Sequence, residues 1–257
     1  MKLSEIIPVL EKMAPPELQE AYDNSGLQCG DRNRVIRGAM LSLDCTEAVV
    51  VGAIKKKCNL IVVHHPLLFK SINSLTGKNE VERTLMLAIK KDIAIYAAHT
   101  SLDNVITGVN GKIADKLGLK NRKILVPMKG HLKKLVVFCP IDFAEKVREA
   151  ICKAGAGQIG NYEECTFNAN GIGTFKGNES TTPFVGKKGV LHKEKEVRIE
   201  TIFPDWEERK ILNALFRTHP YEEVAYDIYP LENEWKQTGS GLIGEFKAGM
   251  EAKKFLS

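Results

Sequence analysis

A chain of 257 residues, 44% of them hydrophobic, has material for one large or two ordinary domains and is not an intrinsically disordered segment. Its net charge of +5 is modest, and the lysines are spread over helix ends and connecting stretches, so nucleic-acid binding is not implied. The six cysteines form no CxxC pair and read as reduced thiols of a cytoplasmic protein; no apolar run approaches the roughly 20 residues of a membrane span, and Glu5, Glu11 and Lys12 interrupt what would have to be a signal peptide.

In chain order, Leu3, Ile6, Ile7, Leu10 and Met13 share one helical face, with Ser4 placed to cap the helix and Pro15-Pro16 to stop it. Residues 35–43 read as a strand. A helix over 46–57 carries lysines in its last turn, where the helix dipole favours cations. A strand at 59–63, a helix at 79–91, a strand at 92–98 and a helix at 110–117, closed by Gly118, complete an alternation that predicts a parallel or mixed sheet covered by helices. The first domain is accordingly placed at 1–120.

The alternation breaks over 121–131, a polar stretch with Pro127 and Gly130 that reads as a linker. It resumes as a second domain over 132–247. Strand 133–139, helix 142–154, a Gly-rich strand pair within 162–176, strand 197–203, helix 205–217 and strand 223–230 make two βαβ-like halves, the pattern of a ferredoxin-like α+β sandwich. Residues 177–195 lack periodicity and read as a mobile loop.

The chemistry lies in the first domain. The apolar run 60–63 ends in His64-His65-Pro66, and the run 93–98 ends in His99 with Asp103 just beyond. In a parallel sheet, ligands sit outside the carboxyl ends of the strands, where these groups fall. Successive side chains of a strand point to opposite faces, so His64 and His65 converge only if the chain leaves extended geometry there. Pro66 favours that exit by removing the next ladder donor. Imidazole and carboxylate ligands suit zinc, iron and manganese alike. A lone strand-end histidine is ordinarily structural, and Asp103 alone would read as a cap or loop carboxylate.

The second domain offers weaker signals. Gly155-Ala156-Gly157 reads as a helix C-cap with a tight turn, and Gly171-Ile172-Gly173 lacks the strand-to-helix context of a dinucleotide site. His219 and Glu223 have a chelating spacing on a helix, but Pro220 disturbs it and an ordinary helix-to-strand turn is expected.

Three segments, Asp23-Asn24-Ser25-Gly26-Leu27, Val63-His64-His65-Pro66 and Ala98-His99-Thr100-Ser101-Leu102-Asp103, resemble the signatures of the Nif-three-like dinuclear-metal-centre family, often labelled GTP cyclohydrolase 1 type 2 homologues. The stretches 155–162, 197–201 and 219–227 resemble the PII/CutA-like domain inserted in longer members. The resemblance implies an α/β fold, a Nif-three-like mixed sheet that is incomplete, with the inserted domain at 132–247 and a return segment beginning at 248–257. It implies two divalent metal ions per subunit, zinc, iron or manganese, held by His64, His65 and Asp103, with Asp103 as the bridging carboxylate and His99 as an auxiliary group and proton shuttle. In the longer members a second half of the main domain supplies a further histidine and glutamate in an H-x-x-x-E arrangement, so the reading expects those ligands to be absent from the 257 residues.

The function so implied is a metal-dependent hydrolase or cyclohydrolase acting on a nucleotide-like or phosphorylated small molecule. The alternatives are a non-catalytic metal-handling protein and a regulatory protein whose PII-like domain senses a ligand. No membrane partner is expected, and the resemblance implies a homohexamer of paired trimers.

Overall fold

The computed structural model describes residues 1–256. It divides into two compact units, one formed by Met1–Pro127 with Gln237–Ser257 and the other by Met128–Lys236.

The first unit is built on a four-stranded sheet of order β1-β4-β3-β2, from strands Gly26–Cys29, Ala94–Ala97, Leu60–Val63 and Ala39–Ser42. Strands β2, β3 and β4 are parallel, and β1 runs antiparallel to β4. Alternation along the strands divides the core in two. Leu60, Ala94 and Tyr96 pack with Leu3 and Ile7 of helix α1 (Leu3–Met13). Ile61, Val63, Ile95 and Ala97 point the other way, onto Val50 and Ala53 of α2 (Glu47–Lys55) and Ala88 of α3 (Glu80–Lys90). A sheet buried on both faces explains why β3 and β4 read as continuous apolar runs. Edge strand β2 leaves Leu41 79% exposed.

Two helix starts follow from side chains in reach of free amides. Thr46 accepts from the Val49 N–H, and Asn79 accepts from the Glu82 N–H at 2.9 Å. Ser4, expected as the cap of α1, lies inside that helix. Lys2 is the N-cap instead, and its N–H donates to the Glu5 carboxylate at 2.6 Å. The helices α4 (Thr100–Asp103) and α5 (Val109–Leu117) follow β4, and α5 ends on Gly118 in the left-handed conformation.

Three strands escape the sequence reading. The segment read as a linker is strand β5 (Lys120–Met128), paired with β10 (Trp235–Glu245). Its pattern misleads because Leu125 and Val126 are exposed and only Ile124 is buried, so no apolar alternation marks it. Gly239, at φ +143, lets the two strands close up; a Cβ there would fall 2.1 Å from the Val126 carbonyl oxygen. The third, β1, has four residues and one fully buried position, too few to show a period.

In the second unit, strands β6 (Leu132–Pro140), β7 (Thr166–Phe175), β8 (His192–Pro204) and β9 (Tyr226–Leu231) form an antiparallel sheet of order β7-β8-β6-β9. Helices α6 (Ile141–Lys153) and α7 (Glu208–Thr218) complete the β-α-β-β-α-β order of a ferredoxin-like sandwich. Leu135, Val137, Val197, Ile199 and Phe203 pack against Val147, Ile151, Ile211 and Leu215 of the helices. The Gly-rich pair expected within 162–176 is one strand, β7, whose partner β8 begins earlier than expected, at His192.

Candidate metal centre

The parallel strands bring His64 and His99 side by side. Val63 of β3 pairs with Ala97 of β4, and the Ala98 N–H continues the ladder by donating to the Val63 carbonyl at 2.9 Å. Beyond Val63 the chain turns away from β geometry: the N–H groups of His64 and His65 both reach the Leu43 carbonyl, at 3.2 and 2.9 Å. Adjacent side chains therefore converge, with ring centroids 5.0 Å apart. His99 joins them at 5.2 Å from His64 and 5.5 Å from His65. One ring nitrogen from each histidine lies within 4.8 Å of the others.

Each ring is oriented through Nδ1. His64 Nδ1 lies 2.9 Å from the Ala98 carbonyl oxygen, His65 Nδ1 2.7 Å from Asp44 Oδ1 and His99 Nδ1 2.8 Å from Asp23 Oδ1. A carbonyl or carboxylate oxygen accepts, so Nδ1–H donates in all three, leaving the Nε2 lone pairs free. This is the carboxylate–histidine or carbonyl–histidine support typical of metal ligands. His64 and His99 are half-buried and His65 is exposed.

Asp23 is the most constrained of the supporting groups. Its side chain is fully buried. It accepts from the Thr100 N–H at 3.0 Å, the Ser25 hydroxyl at 3.0 Å, the Asn24 N–H at 2.6 Å and the Thr100 hydroxyl. Burial works to raise its pKa, but the bonds from the Thr100 hydroxyl, the His99 ring and the two backbone amides outweigh it and hold the carboxyl at about 2. Asp23 therefore stands as a carboxylate. Because β1 is antiparallel to β4, the start of β1 lies beside the end of β4, which is how a residue 76 positions away reaches His99.

Of the residues singled out in the sequence, His64, His65 and His99 form one cluster. Asp103 stands beside it: its Oδ2 is 3.7 Å from His64 Nε2. His99, read as an auxiliary group, lies within the same cluster as the two adjacent histidines. Asp44 and Asp23 were not read as functional. Asp44 follows β2 as His65 follows β3, two residues past the strand end, so counting carboxylates at strand ends would have found it. Asp23 lay within a quoted signature, but only the antiparallel pairing of β1 makes it a partner of His99. His219 and Glu223 do not chelate. His219 is buried, with Nε2 2.9 Å from the Phe138 carbonyl oxygen and Nδ1 accepting from the Tyr221 N–H at 3.1 Å.

Three imidazoles at the carboxyl ends of neighbouring strands, each backed by an acceptor on Nδ1, define an α/β protein with a candidate metal-binding cluster. The chain belongs to the Duf34/NIF3 (NGG1p interacting factor 3) family, whose sequence profile matches residues 1–257. It is 43% identical over 251 residues to the GTP cyclohydrolase 1 type 2 homolog of Halalkalibacterium halodurans, covering 97% of this chain and 68% of that protein. It is 42% identical over 252 residues to that of Bacillus subtilis, covering 98% of this chain and 68% of the relative. The crystal structure of a Bacillus cereus protein related to NIF3 superposes with a TM-score of 0.86 at 43% identity, over 99% of this chain and 68% of the other. Staphylococcus aureus protein SA1388 gives 0.69 at 29% identity, over 99% of this chain and 66% of the other. Among the described residues no helix is long and apolar enough to cross a membrane.

Proposed function

We propose that the chain is a divalent-metal-binding protein that acts as a metal-dependent hydrolase on a nucleotide-like or phosphorylated small molecule in the cytoplasm. The observation that carries the metal reading is the triple anchoring of Nδ1 in His64, His65 and His99, which spends one nitrogen of each ring and presents the other at a common locus. The donor set fits a transition metal: nitrogens within 4.8 Å of one another need only small side-chain movements to reach ligand distances of about 2.0–2.1 Å from one ion. Two ions, of zinc, iron or manganese, form the proposed complement, and Asp103, whose Oδ2 lies 3.7 Å from His64 Nε2, is the carboxylate that would be shared between them.

When bound, such ions supply Lewis acidity and a water of lowered pKa. This chain's own residues do the positioning. His64 and His65 hold fixed directions because the backbone leaves the strand between Val63 and Pro66. His99 is oriented by the buried Asp23 carboxylate so that its Nε2 faces the same locus as the other two rings, and it would carry a proton only while that nitrogen does not hold an ion, since one lone pair cannot do both. Phe69 lies 6.2 Å from His99, with Tyr22 packed on it at 6.4 Å, and puts an apolar ring beside the cluster. The same reading takes the second unit as a PII/CutA-like domain and the assembly as a homohexamer.

Elemental analysis of the purified chain tests the metal reading. Bound zinc, iron or manganese is expected at one equivalent or more, and to be lost in His64→Ala. Asp103→Ala is expected to remove more than one equivalent if that carboxylate is shared. A chain that binds no divalent metal sinks the proposal, and one that binds metal but hydrolyses no nucleotide or phosphate ester leaves the metal-handling alternative in its place.

A further inference from the structure

The second unit carries a cleft of about 600 Å³, within the range of small-molecule sites. Its wall is β7 from Ala169 onward, with Phe138, Phe175, Phe184, Tyr221 and Glu196 around it. The rings form a connected set: Phe175 and Phe184 lie 5.9 and 6.3 Å from Tyr221, and Phe184 packs edge-on to Phe143 at 5.4 Å. The segment after β7 is drawn over the site where the Thr182 N–H donates to Glu222 Oε1 at 2.7 Å.

Glu196 is the unusual member. Along β8, Val197, Ile199 and Phe203 face the helices, so Glu196 alternates to the opposite side, and it is only 7% exposed. A buried carboxylate is costly unless a cation or several donors meet it. Here Oε1 accepts from the Tyr221 hydroxyl at 2.9 Å, while Oε2 projects over Gly173, where a Cβ would sit 2.0 Å from it. That glycine is what leaves the carboxylate room.

Among the described residues no ion pair reaches Glu196, although Lys176 and Arg198 line the same cleft. Burial lowers the pKa of His219, which stays neutral, and raises that of the Cys139 thiol. Arg198 is engaged by Glu200 at 2.9 Å, a carboxylate that also takes Lys134, and Lys176 is exposed.

We propose that this cleft binds a small organic ammonium ion, its cationic nitrogen against Glu196 and its apolar body between the rings of Phe175, Phe184 and Tyr221. The negative faces of aromatic rings and a desolvated carboxylate are both complementary to such a cation, and neither favours an anion. The site lies wholly within Met128–Lys236 and does not depend on the metal centre.

Calorimetric titration of the full chain near neutral pH with 2-phenylethylamine, 2-phenylethanol and 3-phenylpropionate tests it. The amine is expected to saturate one site at least tenfold more tightly than the alcohol, and the acid not to bind. Glu196→Gln is expected to bring the amine down to the level of the alcohol, while Phe184→Ala weakens both by a similar factor. The preference of the unaltered chain decides the matter even if Glu196→Gln fails to fold. Equal binding of amine and alcohol, stronger binding of the acid, no saturable binding, or an amine preference that survives Glu196→Gln each overturns the proposal. Repeating the titration after chelation separates this site from the metal centre: amine binding that vanishes with the metal also overturns it.

Discussion

Asp23 illustrates how much a single residue outside the ligand set decides. It fixes the His99 tautomer and is itself held by Thr100, Ser25 and Asn24, so removing its charge alters the direction and basicity of one ring without emptying the core. Asp23→Asn is therefore expected to weaken metal binding about 10–100-fold, the usual effect of losing a carboxylate behind a ligating histidine, measured by competition with a chromophoric chelator. A circular dichroism spectrum unchanged from the parent would accompany that loss. Unchanged affinity would remove Asp23 from the account of the site. Asp44, 58% exposed at its side chain, holds His65 in the same manner but in water, and Asp44→Asn is expected to have the smaller effect.

At the scale of the element, the start of α3 is secured by Glu82. Its Oε2 accepts from the N–H groups of Thr76, Gly77 and Lys78 at 2.9, 2.9 and 3.2 Å, and Asn79 caps the same turn. The hydrogen bonds from Thr76, with those from Lys78 and Gly77, outweigh the opposing effect of burial and lower the pKa from 4.5 to about 2. A depressed carboxyl pKa contributes order that is fully present above the unfolded value and is lost as pH falls through the folded one. The amides of Thr76, Gly77 and Lys78 are expected to stay protected from exchange down to about pH 4.5 and to lose protection toward pH 2. In Glu82→Gln they should be weakly protected at every pH. Protection in the variant equal to the parent's would show that the loop is held by other contacts.

For the molecule as a whole, the two units have separate cores, and the second is covered by its own pair of helices. Residues 128–236 expressed alone are expected to unfold in one cooperative transition, because every strand of that sheet and both helices fall inside the segment. Within it Ile151→Ala should cost about 2–5 kcal/mol, since Ile151 is fully buried in the core between helices and sheet. A denaturant titration with no transition would show that the segment needs the rest of the chain. Light scattering of the full chain tests the assembly, with six subunits expected and a monomer counting against the hexamer.

Most of the elements were legible because their signals are local. Helices α2, α3 and α5 announce themselves by caps and apolar spacing, and β3 and β4 by short buried runs, so the alternation, and the presence of His64, His65 and His99 at strand ends, follow from the order of residues alone. The ferredoxin-like order of the second unit was legible for the same reason. What only the tertiary structure decided depends on pairing between distant segments: β5 and β10 are half-exposed strands that make sense only together, and Asp23 meets His99 only because β1 runs antiparallel to β4. Glu196 likewise reads as one more charge in a polar strand until the sheet turns it inward beneath Gly173. Periodicity records which face of an element is buried; it carries no record of what lies opposite that face, and the opposite group is what orients a ligand or surrounds a charge.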